Sequence, residues 1–355
     1  MGSSTASGSR SPSIDIVKGL AIVSVICLHT LSTSALHRIG ALFYIWQAVP
    51  VFIIVMGING ARSFRRRGRR SLRELYSWDY LATRVDRVFV PFLLAFFATG
   101  LIETLTAEHR SLSTLPADLV TGQLPIGGPG NYFITLLFQL TLIFPLIYWG
   151  LRRQPLVTVI ACLAVSATFE LLAPHVGVLK DDSYLYEAGM VRYLFMAALG
   201  GAVANMSARR LYRAWWMWCG ALVSVAFLTV SQLDASAIPF GLPGWENSDF
   251  AAAFYPAMLV LLATVALPRA ASAFSRGVAE LGRASYHIFL LQIIWFGLGV
   301  WGMDSLPALL GNLTVTLLAG LVFYWIMERA PLPRVASLVS RRRATLARRP
   351  LRPIS

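Results

Sequence analysis

S-I-D-I-V-K-G-L-A-I-V-S-V-I-C-L-H, residues Ser13 to His29, sets an acid, a base and an imidazole inside a run otherwise apolar enough to cross a bilayer. Ionisable groups in hydrocarbon are costly, so their default reading is functional. At about 1.5 Å per residue, Lys18 and His29 fall on nearly one helix face about 16 Å apart, with Asp15 one turn outside Lys18. The stretch therefore predicts a membrane helix carrying a charged pair near one surface and an imidazole well inside.

The rest of the chain repeats that apolar character from end to end. Of 355 residues, 56% are hydrophobic and only 14% charged, which excludes a soluble globule and leaves no room for a soluble domain of useful size. Ten runs near the required length can be drawn, at 14–36, 42–61, 88–107, 131–150, 155–173, 189–206, 214–232, 250–268, 285–302 and 306–327. The expected fold is all-α, a polytopic membrane protein of about ten transmembrane helices.

Net charge is +14, yet the cations sit in short loops, where they set topology and meet anionic headgroups rather than nucleic acid. Arg62, Arg65, Arg66, Arg67, Arg69, Arg70, Arg73, Arg84 and Arg87 follow the second run. Arg152 and Arg153, then Arg209, Arg210 and Arg213, then Arg269, Arg276 and Arg283 follow alternate later ones. Intervening loops hold scattered cations such as Arg38, Arg110, Lys180 and Arg192. This alternation predicts cytoplasmic termini. The expected organisation is a flexible tail (1–12), a membrane domain (13–332) and a basic C-terminal tail (333–355). The first run lacks an A-x-A-like cleavage site and reads as a retained helix. Cys27, Cys162 and Cys219 show no ligand spacing, so they read as small buried hydrophobes and no metal site is expected.

His29 is the leading chemical candidate, because an uncharged imidazole has one nitrogen free to accept a proton from an attacking hydroxyl. Lys18, paired with Asp15, reads either as a snorkelling anchor or as a cation facing an anionic ligand. Most arginines of the long basic loop are topological. Arg84 and Arg87 lie against the third run, and a pair three residues apart on one helical face suits phosphate. Asn131, Gln139, Ser285, Tyr286, His287, Gln292 and Glu328 are polar residues in apolar settings, and singly each suits an interhelical hydrogen bond. The Pro- and Gly-rich outer stretches Thr106 to Gly130 and Asp234 to Ser248 read as an acceptor-facing mouth or as plain connections.

The ordered landmarks I-D-x-x-K-G-L-A, a histidine eleven residues after the lysine, V-P-V-F-I-I-V-M-G, R-V-D-R-V-F-V-P-F, N-Y-F-I-T-L-L-F-Q-L, L-G-R-A-S-Y-H-I-F-L-L-Q and M-E-R-A-P-L resemble the integral-membrane acyltransferase family 3. They run from about residue 13 to 332. The resemblance implies transfer of an acyl group, commonly acetyl from acetyl-CoA, to hydroxyls of sugars in cell-surface polysaccharides and glycoconjugates. It implies catalytic roles for His29, Lys18, Tyr286 and Glu328, and donor-binding roles for Lys18, Arg84, Arg87 and Ser285. Two positions depart from the family pattern: Lys18 stands where arginine is usual, losing the bidentate fork while keeping the charge, and Gln292 stands where span nine usually carries histidine. No extracytoplasmic hydrolase-like domain is appended, so transfer is expected to finish within the membrane domain.

The function expected from resemblance and residues together is a membrane O-acyltransferase of the cell envelope, in the bacterial inner membrane. Acyl-CoA is its co-substrate, with no permanently bound cofactor, and its partners are a glycan or lipid-linked sugar and membrane lipids. The hydroxyl either attacks the thioester directly with His29 as base, or His29 carries the acyl group briefly. Tyr286 and Asn131 are the side chains nominated to stabilise the oxyanion. The rival readings are a transporter or flippase of polysaccharide intermediates and a structural envelope partner. Transport is disfavoured by the absence of internal repeats and of acidic relays at the midplane.

Overall fold

The computed structural model describes residues 11–106, 115–181, 183–204, 206, 210, 213–237, 250–267, 272–299 and 303–329. Both tails fall outside these residues except for Ser11 and Pro12, as do Arg110, Arg209, Arg269 and most of the second outer stretch. The described residues form helices and connecting turns without a β-strand.

Ten helices overlap the ten apolar runs: α1 (Pro12–Thr30), α2 (Ala48–Arg66), α3 (Val90–Thr106), α4 (Tyr132–Arg153), α5 (Pro155–Leu172), α6 (Leu194–Val203), α7 (Trp215–Leu233), α8 (Phe254–Ala266), α9 (Ala273–Gly297) and α10 (Leu306–Arg329). Among the described residues seven helical stretches are long and apolar enough to cross a membrane, and α6 and α8 belong to shorter apolar helices. The protein is a polytopic helical membrane protein. Its outer helices turn Leu222, Val223, Leu318 and Val322 outward, the expected face toward lipid chains.

Two of the boundaries that differ from the sequence reading bear on the site. The first helix stops at Thr30, where Leu31 adopts an extended conformation; Ser32 then caps a short new helix, Thr33–Arg38, by accepting from the Ala35 amide. His29 therefore sits at the end of α1 rather than well inside it. The ninth helix begins twelve residues before the apolar run, because Ser272 caps it and its polar first half is stabilised by a Glu280–Arg283 ion pair. Hydropathy alone misses such a half.

That early start matters because it sets α9 alongside α1. A Cβ on Gly282 would overlap the Asp15 carbonyl, and one on Gly19 would overlap that of Val278. At the other end His29 meets Phe296, so the two helices run parallel. Gly320 brings α10 onto Ile288 of α9, and Gly57 and Gly200 do the same for α2 and α6. Small residues permit this approach, which is how helices pack where lipid removes the hydrophobic drive.

Two side-chain expectations also change. Cys27 and Cys162 are half-buried, but Cys219 is exposed on α7. Arg192, read as a scattered loop cation, is completely buried, with Nε 2.6 Å from Oε1 of the equally buried Glu170 on α5.

Candidate active site

His29 is half-buried. Its ring meets the edge of Phe296 at 5.9 Å, and its Nε2 faces Gly130. Gly130 ends a loop, residues 122–131, that lies along α9. Asn131 closes the loop on itself, accepting from the Leu124 amide at 2.8 Å and donating to the Leu124 carbonyl at 3.0 Å. Gln292, completely buried on α9, donates to the Pro129 carbonyl at 3.1 Å. Gly128 presses on the Ile293 backbone so closely that no side chain fits between them. Gly130 itself has φ +85, a region costly for residues with a Cβ. The loop thus meets the imidazole at a glycine, with the Phe289 ring beside it.

The other end of α1 holds Lys18, its Nζ 2.9 Å from Asp15 Oδ1. Ser285 is buried and stands one turn beyond Gly282 on the α9 face that meets α1. Glu328 is exposed near the end of α10. Asn312 of α10 donates to Thr30 Oγ1, beside His29, at 3.3 Å, and a rise of about 1.5 Å per residue puts Glu328 about 24 Å further along. Glu328 therefore belongs to the Lys18 end.

Arg84 precedes a departure from α-geometry and Arg87 lies within it. Val85–Phe89 form a π-helical turn, with the Val90 amide donating to the Val85 carbonyl. The widened turn breaks the α-spacing on which a shared face for the two arginines was expected, and single π-turns recur at functional sites. Arg84 is half-buried, with its guanidinium 5.2 Å from the Tyr80 ring centre, and Arg87 is exposed. The Tyr286 hydroxyl donates to the Val88 carbonyl at 3.0 Å, inside this turn. Tyr286 therefore ties α9 to the arginine turn, and its hydroxyl proton is committed there. Asn131 is held in its loop with one amide N–H on the Leu124 carbonyl, and of the two nominated oxyanion donors only Tyr286 has its hydrogen committed elsewhere.

Along its length α9 thus connects two regions: at one level Ser285 lies on the face toward α1 and Lys18 while Tyr286 reaches the arginine turn, and at the other Phe296 meets His29 and the glycine loop. Eleven residues separate Ser285 from Phe296, as they do Lys18 from His29. Among the described residues no three metal-ligating side chains gather.

A family model described as an acyltransferase domain matches residues 11–328. The chain belongs to the acyltransferase 3 family. The match extends from α1 through α10, so both regions lie inside the acyltransferase domain. Searches of curated proteins and of solved structures return no match.

The sequence of this acyltransferase marks the glycine loop as part of a candidate acceptor mouth through its G-G-P-G-N string before α4, but not its approach to His29, nor the buried Glu170–Arg192 pair. The Glu170 carboxylate also accepts from the Tyr186 hydroxyl at 2.5 Å, and the Arg192 guanidinium lies 4.4 Å from the Tyr186 ring centre. The two charges thereby offset one another in the interior.

Proposed function

We propose that this acyltransferase moves an acyl group, acetyl in the first instance, from acyl-CoA to a sugar hydroxyl of a surface polysaccharide or glycoconjugate. The observation that carries the reading is the half-buried His29, whose Nε2 faces Gly130, at the far end of the α1–α9 seam from Lys18.

In this reading the donor enters from the cytoplasm. Arg84, Arg87 and Lys18 attract its phosphates, Ser285 lies beside them, and the pantetheine arm follows the α1–α9 seam. The seam's about 16 Å length is comparable to such an arm. His29 takes the proton from the acceptor hydroxyl as its oxygen attacks the thioester carbon. The new C–O bond forms, the C–S bond breaks, and the proton passes from the imidazole to the departing thiolate. Glu328, at the cationic end, takes part through charge rather than through contact with the reacting carbonyl.

The test is acyl transfer by purified His29→Ala with labelled acetyl-CoA and a glycan acceptor. Loss of a positioned base costs about 10²–10⁴-fold in rate, and turnover at the wild-type rate overturns the assignment. Mass spectrometry of surface glycans from a deletion strain then names acyl group and acceptor through the ester that disappears.

A further inference from the structure

A cavity of about 440 Å³ opens where α2, α4 and α6 end together, lined by Arg65, Arg69, Arg70, Arg152, Tyr148 and Gly201 among others, with no acid in its wall. Positive-inside bias explains why arginines occupy this side of the membrane. It does not explain why four of them surround one hollow.

The backbone that carries them is fixed. Gly68, at φ +65, turns the chain at the end of α2; its amide donates to Arg65 and the Arg69 amide donates back to Phe64. This paired closure satisfies the last carbonyls of the helix and swings Arg69 and Arg70 back over them. Ser71 and Glu74 then form a reciprocal cap, and the Glu74 carboxylate also accepts from the Arg70 amide at 2.6 Å. Arg152 on α4 donates to the Arg69 carbonyl at 3.1 Å. Arg69 is buried, whereas Arg65, Arg70 and Arg152 are exposed around it.

Arg65, Arg70 and Arg152 bring three like charges to one hollow beside the buried Arg69, and an anion there would offset their mutual repulsion. Guanidinium forks match phosphate oxygens, and the volume lies within the range of small-molecule sites. We propose that this cavity is a binding site for a phosphate-bearing anion, separate from the Arg84–Arg87 turn. Two sources carry that chemistry: the headgroup of an anionic phospholipid, since the cavity opens among helix ends on the basic side, and the nucleotide end of the donor, since Tyr80, against the Arg84 guanidinium, lies within electrostatic reach of Arg69.

Thermal unfolding of the purified protein in neutral detergent reads binding alone and is independent of acyl transfer. The probes are mixed micelles containing phosphatidylglycerol or cardiolipin against phosphatidylcholine, and, separately, adenosine 3′,5′-bisphosphate. Ligand that binds only the folded state raises the unfolding temperature. The site predicts a rise that weakens about tenfold or more in apparent affinity in R65Q/R152Q. The rise persists in R66Q/R67Q, which removes equal charge from exposed positions outside the cavity. A response to lipid alone assigns a headgroup, and one to the bisphosphate alone assigns the donor's nucleotide end. Absence of any rise, or equal weakening in the two double variants, overturns the proposal.

Discussion

Gly130 leaves Nε2 of His29 open on the loop side: a Cβ at this glycine would stand 3.6 Å from that nitrogen and 3.3 Å from Phe289 Cζ. Gly130→Ala combines this crowding with a left-handed backbone, which costs a residue bearing a Cβ about 1–2 kcal/mol. The expected result is a fall in kcat of about tenfold or more, since small misplacements at a reacting group are expensive. Gly130→Val should cost more, because its branch extends over the imidazole. Gly122→Ala is the control: it has a similar φ of +83 but abuts Phe138. It should lower the unfolding temperature with far less effect on kcat.

The Tyr286–Val88 bond separates a positioning role from a catalytic one. Tyr286→Phe leaves a carbonyl of the π-turn without its donor, at a cost of about 1–3 kcal/mol. If the bond holds the arginine turn in place, KM for acyl-CoA rises several-fold while kcat changes by less than about threefold. A loss confined to kcat would assign the hydroxyl to the chemical step instead.

The sequence displayed the helices because ten apolar runs and alternating arginines are local signals. His29 and Lys18 were legible for the same reason, being ionisable groups set in an apolar run. What escaped depends on contacts between distant segments. The start of α9 was hidden because a helix half carrying Arg276, Glu280 and Arg283 has no apolar signature. The reach of Tyr286 to Val88 joins residues almost two hundred positions apart, and the π-turn at Val85–Phe89 leaves no compositional trace. Arg192 was misassigned because a charge next to an apolar run resembles a loop cation until its partner Glu170 is known to face it.

That pair yields an asymmetric prediction. Arg192→Met strands the Glu170 carboxylate in the interior and should cost about 3–5 kcal/mol. The double variant Glu170→Leu/Arg192→Met removes both charges and should recover much of that loss, because apolar replacement of a buried pair is often close to neutral. Unfolding temperatures of the two variants decide it. Equal destabilisation would mean that the ion pair itself, rather than an orphaned charge, dominates.

Asp304 provides the pH prediction, at the end of α1 beside the candidate base. Its Oδ1 accepts from the Ser32 amide at 2.5 Å and its own amide donates to the Thr30 carbonyl at 3.2 Å, so one residue closes the chain just past His29. The Ser32 amide holds the Asp304 carboxyl below its ordinary value. A group whose folded pKa is depressed contributes stability in full above its unfolded pKa, about 3.9 for aspartate, and loses it as pH falls through the folded value. Wild type should therefore lose unfolding temperature more steeply than Asp304→Asn as pH falls below about 4. Asparagine tolerates the φ of +63 at this position, so the variant removes the charge without adding backbone strain. The two curves should be separated at pH 7 and converge in acid; parallel curves would show that the Asp304 carboxylate does not hold this end of α1.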